Sequence, residues 1–343
     1  MSNLLETFDD LILNKTVAAL VKKTSLVSVE GAEGVVFPAT FAATKSGSFA
    51  GGYNIDKFND GTNICLIDSV GSQANRIEPV FCDGEYAQLV PQILTNIGDN
   101  KVNLLLASHR IADASIKFSD IKGLPKAFKE LLKGDATAMA KIAPTSVVFG
   151  LWDSRDTQIK SPRLVASVIQ AHNVKQLTRS SQYIPTVDYN VDSLLGENDN
   201  KDFAAVGCAH VPSPAVLGGV IATEGVFQNV LLHLPALRAL SLNKEVSLLR
   251  YILGLSLIAF TCPMENYLRQ GCNLVPKKPG VITSVSCEGE RTTLDLSHAK
   301  ILEYAKAAAQ EFGVGIDQEV TFDPTKANVA IKASKKKAAK KKK

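Results

Sequence analysis

The sequence predicts an α+β fold, because strand-like and helix-like segments alternate irregularly, long polar loops separate them, and no internal repeat sets a period. With 343 residues, 45% of them hydrophobic and 21% charged, the chain holds enough apolar material for a sizeable core. Collagen-like, mainly disordered and disulfide-scaffold classes are excluded on the same figures.

Taken in order, residues 4–22 place Leu4, Leu5, Phe8, Leu11, Ile12, Ala19 and Leu20 at helical spacings, which predicts an amphipathic first helix. Val35–Ala42 reads as a strand in which Pro38 marks an edge or bulge. Residues 43–62 are rich in Gly, Ser and Asn and predict an irregular loop, a place where function concentrates. Ile64–Ile67 is a short apolar strand, and Asp68 is placed to cap the helix after it. Val102–Leu106 repeats that pattern, Lys126–Met139 is helical, and the apolar run Val147–Trp152 suits a central strand.

Leu164–Val174 is extended, Tyr183–Asp202 is an acidic, Asn-rich insertion, and Val226–Leu234 is a strand leading into a helix at Pro235. Tyr251–Thr261 is the most apolar stretch. At eleven residues it is far short of the roughly 20 a bilayer requires, so it predicts a buried helix and no membrane segment. Ser297 caps a helix with Ile301, Tyr304, Ala305, Ala308 and Phe312 on one face, Gly313 sits at its C-cap, and Glu319–Ile331 is strand-like.

The formal charge of +4 misplaces the basic character. The last twelve residues hold eight lysines and no acid, so residues 1–331 carry 30 basic against 34 acidic residues, a net −4. Residues 1–331 therefore read as one slightly acidic domain and 332–343 as a disordered Lys-rich tail. The N-terminus has acids where a secretory leader has cations, which predicts a cytoplasmic protein. Six cysteines without a CxxC pair then read as reduced thiols.

Common catalytic and cofactor signatures are missing. No phosphate-binding P-loop, dinucleotide fingerprint or G-x-S-x-G elbow occurs, and the five histidines are dispersed, so no cofactor, metal or enzymatic activity is expected. Four polar clusters at strand ends carry the chemistry that remains. They are Asp68–Pro79 with Asn75 and Arg76, then Ser108 with His109 and Arg110. Asp153–Arg163 supplies Arg155, Lys160 and Arg163, and Leu177–Tyr183 supplies Arg179 and Gln182. Arginine beside aromatics and hydroxyls suits single-stranded RNA, with guanidinium on phosphate and rings against bases.

The stretches FPATFA, YNIDKFNDGTNICLIDSVGSQANRIEP, SHRIADASI, SVVFGLWDSRDTQIKSPRLVASVIQAHNV, HVPSP, LPALRAL and GCNLVP resemble, in that order, the backbone subunit of the type I-G (formerly I-U) CRISPR Cascade effector complex, a RAMP-superfamily protein. The resemblance runs from about residue 4 to 316 and leaves the Lys-rich tail unmatched. It implies a modified RRM-like, ferredoxin-like antiparallel palm with helical insertions and a thumb-like loop, for which 183–202 is the candidate.

It also implies a non-catalytic subunit of antiviral defence that polymerises head to tail along a CRISPR RNA and presents it to target DNA. Its partners would be further copies of itself and the foot, repeat-processing and large subunits. A heterologous contact that does not close generates such a filament. The RNA-binding residues expected are Lys45, Asn75, Arg76, His109, Arg110, Arg155, Lys160, Arg163, Arg179 and Gln182, in a groove whose local field matters more than the net charge. Two other functions compete: a metal-dependent RNase of the type III kind using Asp68, Asp113 or Asp153, and a general single-strand binder whose affinity comes from the tail.

Overall fold

A computed structural model describes residues 2–154, 157–187, 189, 200–241, 245–263 and 267–341. The elements that position the site are β1 (Val17–Ser28), β2 (Asn63–Asp68), α1 (Val70–Ile77), β3 (Val165–His172), β4 (Val174–Tyr183), β5 (Val211–Ala222) and β6 (Val226–His233), followed by α2 (Val246–Thr261), β7 (Cys272–Pro276), β8 (Val281–Ser286), α3 (His298–Phe312) and α4 (Pro324–Lys341). They form a mixed α+β fold around an antiparallel sheet in which β1 pairs with β6, β6 with β3, and β3 with β2. The other edge of β1 is shared, its first part pairing with β8 and its last residues with β7.

Side-chain alternation fixes which face of the sheet is covered. Along β3, Val165, Ser167, Ile169 and Ala171 are buried while Ala166, Val168, Gln170 and His172 are half-buried, the period of two expected when helices cover one face. Leu20, Val165, Val230 and Leu232 pack with α2 and α3 in one core cluster, and Leu26, Ile67, Ile169, Ala171, Val226 and Leu274 form a second. Along the covered face near their junction lie the buried polar side chains of Thr24, Asp68, Gln73 and Ser167. The α2 helix is apolar all round and buried from Leu248 to Phe260 except at Arg250, as Tyr251–Thr261 predicted. Among the described residues no helix is long and apolar enough to cross a membrane.

Several local expectations change. The predicted first helix stops at Leu13, because the Asn14 side chain accepts from the backbone N–H and hydroxyl of Thr16 and turns the chain into β1. Ser69, not Asp68, caps α1, its hydroxyl accepting from the Ser72 N–H. Val147–Trp152 is split between a short helix, Pro144–Val148, and a two-residue strand, Leu151–Trp152. Pro144 starts that helix, and a short buried apolar run has no periodicity to distinguish helix from strand. Glu319–Ile331 yields one strand, Gln318–Thr321, before α4 begins. The boundary expected at residue 332 lies inside α4, whose Ala and Lys content favours helix through Lys341.

Beyond Asn173, which adopts φ +47°, β3 continues outward as β4, and β5 returns antiparallel to it before β6. This ribbon is exposed along most of its length, since β4 buries only its first residue, Val174. Of the candidate thumb, residues 188 and 190–199 lie outside the described residues.

Candidate nucleic-acid interface

The covered face of the sheet ends in a buried carboxylate. Asp68, 1% exposed, receives Gln73 Nε2 at 2.7 Å, Arg76 Nε at 3.2 Å and Arg269 Nη2 at 2.8 Å. Gln73 is in turn held by the Ser167 hydroxyl and the Gln228 amide, so α1, β3 and β6 are locked together through side chains. Two guanidiniums on one carboxylate leave this junction locally positive although the body is acidic. Arg76 also donates to the Leu268 carbonyl, and Arg269 to the carbonyls of Ile67 and Phe37.

The next pair along α1 is deeper. Arg110, 4% exposed and at φ +53°, places Nε 2.6 Å from Glu78 Oε2 and donates to the side chain of Asn75 at 3.2 Å. Burial pushes the Glu78 carboxyl up to about 7 and lowers the Arg110 guanidinium from its ordinary value, in each case against the attraction of the partner. This pair belongs to the interior, with the exposed Asn75, Ser108 and His109 beside it in the sequence.

Beyond it lies a small hairpin, Leu151–Trp152 paired with Lys160–Ser161. The Trp152 ring is 62% exposed, and the Lys160 ammonium stands 5.8 Å from its centre. Asp153 anchors the turn. It accepts from Lys117 at 2.9 Å and from the Thr157 N–H and hydroxyl, and these contacts outweigh burial and hold its carboxyl below the usual range. Arg163 is exposed and its stem lies against Gly150, where a Cβ would come within 2.8 Å of it and φ is +81°. Arg155 lies outside the described residues.

On the other side of Asp68 the band reaches the ribbon. Phe37, whose carbonyl accepts from Arg269, carries the Arg179 guanidinium 5.3 Å above its ring. Further out on the ribbon, Gln182 bonds His210 Nε2 at 3.0 Å. Residues 174–187 include Lys175 and Arg179 and no acid. Lys45 is exposed in a turn closed by hydrogen bonds among Thr44, Ser46, Ser48 and Phe49, and among the described residues no contact ties it to the band.

The fold thus gathers segments far apart in sequence into one strip, from Trp152 and Lys160 past Arg163, Asn75, Arg76 and Arg269 to Phe37, Arg179 and Gln182. The exposed Trp152 ring and the half-buried Phe37 ring, each with a cation near its face, alternate with hydrogen-bonding side chains along it, a pattern suited to a sugar-phosphate backbone and unpaired bases. Sequence reasoning missed Arg269, Trp152, Phe37 and Lys117. Arg269 stands alone in YLRQG and Phe37 in a Pro-interrupted run, so only the contacts through Asp68 identify them. The candidate acids are all engaged: Asp68 and Asp153 in ion pairs, and Asp113 as the N-cap of Ala114–Lys117.

Residues 20–176, which hold most of β1, all of β2 and β3 and most of this strip, match a family model described as CRISPR-associated protein GSU0053. No curated protein matches the chain. The family match spans a little under half of the chain, and over those residues the chain is similar to a CRISPR-associated protein family.

Proposed function

We propose that this chain is the non-catalytic backbone subunit of a type I-G Cascade complex, which coats the CRISPR RNA in the cytoplasm and presents it to target DNA. The observation that carries the reading is the strip itself, where rings and cations from five separate segments line one path from the Trp152 hairpin to the ribbon. The path lies largely within the family match. The sheet adds support, since β8, β1, β6 and β3 lie side by side in the order a β-α-β-β-α-β ferredoxin-like palm requires, with α1 and α2 in the crossovers. The ribbon, an outgrowth of the β3/β6 hairpin, is then the base of the thumb.

In this mechanism Lys160, Arg163 and Arg179 neutralise phosphates, and Trp152 and Phe37 offer faces to bases or riboses. Arg76 and Arg269 are positioning residues that hold the strip together through Asp68. The RNA strand templates a head-to-tail filament of copies, with the other Cascade subunits at its ends.

The test is a filter-binding titration of guide-length RNA against salt, with the wild type and the triple variant Lys160→Ala, Arg163→Ala, Arg179→Ala. Weaker binding to every RNA sequence and a shallower salt dependence are expected. Unchanged affinity and slope would remove the strip from the mechanism. For the non-catalytic reading, the assembled complex incubated with Mg²⁺ and complementary RNA should leave that RNA intact. Regularly spaced cuts abolished by Asp153→Asn would replace the scaffold with an RNase.

A further inference from the structure

A cavity of about 460 Å³ opens on the helix-covered side of the sheet, and its described lining includes none of the residues assigned to phosphate or base contact. Its floor is Lys22, Thr24, Gln228 and Val230 of β1 and β6. Its roof is the end of α2, from Ala259 to Cys262, and its rim is built by Pro276, Pro279, Gly280 and Ile282. That volume lies within the range of small-molecule sites, roughly 300–1,000 Å³, and the walls are mainly aliphatic or proline.

Two polar groups in it are not accounted for by the fold. Thr24 is 4% exposed and its hydroxyl has no hydrogen-bond partner among the described residues, an arrangement that costs stability unless something else satisfies it. The Lys22 ammonium, with three donors, makes one long hydrogen bond of 3.4 Å to the Phe260 carbonyl at the end of α2. Burial lowers its affinity for a proton from the ordinary lysine value, so a negative partner beside it would relieve that penalty. Gly280 closes over the pair, and a Cβ there would stand 2.3 Å from Thr24 Oγ1 and 3.0 Å from Lys22 Cε.

Among the described residues the other ionisable groups at the cavity add no charge. Both ring nitrogens of His298 are engaged, Nε2 with the Tyr86 hydroxyl and Nδ1 with the Thr261 hydroxyl, each at 2.8 Å, and burial holds the imidazole below its usual range. Burial likewise pushes the Cys262 thiol up and keeps it neutral. Among the described residues, one cation, one unpartnered hydroxyl and aliphatic and proline walls match a singly charged acid better than a phosphate, which uses several donors.

We propose that this cavity binds a monocarboxylate with a short aliphatic body, its carboxylate bridging Lys22 and Thr24. The acid has two possible sources, a free small molecule or the C-terminus of a peptide ending in an apolar residue, and the chemistry is common to both.

The full chain is titrated calorimetrically with sodium octanoate, with 1-octanol, and with an acetylated tripeptide ending in leucine as free acid and as amide. Saturable one-to-one binding of an acid, with the alcohol or amide at least about tenfold weaker, is expected. Octanoate alone identifies a free acid as the source, and the peptide acid alone identifies a C-terminus. Thr24→Val should weaken the acid about tenfold while leaving Tm unchanged or higher, because it deletes an unpartnered hydroxyl, and Gly280→Ala should block the site by crowding. Failure of both acids to bind at millimolar concentration, or equal binding of acid and alcohol, or binding untouched by Thr24→Val and Gly280→Ala, would overturn the proposal.

Discussion

The polar clusters contain two kinds of arginine, and Arg110 and Arg179 are their extremes. Arg110 is enclosed with Glu78 under the Phe149 ring, whereas Arg179 lies exposed on β4, which buries only Val174, with its guanidinium over Phe37. A buried ion pair balances desolvation against attraction, so its members are indispensable to each other and unavailable to a ligand. An exposed guanidinium retains its donors and loses little when it exchanges water for phosphate. Similar clusters in the sequence therefore divide into residues that build the groove and residues that face its contents.

The largest effect that sharpens this contrast is Arg110→Ala. It leaves Glu78 buried without its counter-charge, so that the carboxyl must take up a proton to stay inside, and chemical denaturation should record a loss of about 3 kcal/mol, with RNA binding by the folded fraction little changed. Asp68→Asn should come next, since it weakens two ion pairs and the Gln73 contact at once. A loss of about 2 kcal/mol is expected, together with weaker RNA binding as Arg76 and Arg269 lose their anchor.

Glu78 also sets a pH dependence. Its carboxyl is raised in the folded state, so the folded chain binds more protons than the unfolded chain between about 4.5 and about 7. Its contribution to stability is fully present below that window and is lost as pH rises through it. Melting temperature followed from pH 5 to pH 8 should show this decline, and Glu78→Gln should flatten it.

On the exposed side, Trp152→Ala should weaken RNA binding by about 1 kcal/mol or more if a base stacks on the ring, with no change in Tm. Arg179→Ala should lower the salt dependence by about one phosphate equivalent and change stability by less than about 0.5 kcal/mol. The smallest specific effect is expected on removing residues 332–343, where eight lysines attract any polyanion: nonspecific RNA binding falls while guide binding is retained. Collapse of guide binding in that truncation would transfer the function from the strip to the tail.

Much of the architecture was legible in local pattern. The α2 helix announced itself by an apolar run too short for a membrane, β3 and β6 by alternation and flanking Pro, and α3 by its stripe ending at Gly313. The first helix and the Val147 run misled because their stripes are short, and one Asn turn or one Pro outweighs them. The candidate site was legible as a set of clusters and not as a strip. Nothing in DSVGSQANRIEP says that Asp68 will be buried, or that its second arginine lies 201 residues downstream.

By itself the sequence determined that the body is acidic, that the basic charge sits in the last twelve residues, that the elements mix helix and strand, and which residue types cluster at strand ends. Those are properties of composition and of spacing within a few turns, where covalent connectivity alone sets the neighbours. Tertiary structure decided which cations are enclosed and which face solvent, and that a hydroxyl and an ammonium share a cavity beneath the sheet. Burial and pairing depend on what the remainder of the chain brings alongside, and the same arginine is structural or exposed according to whether a carboxylate arrives with it.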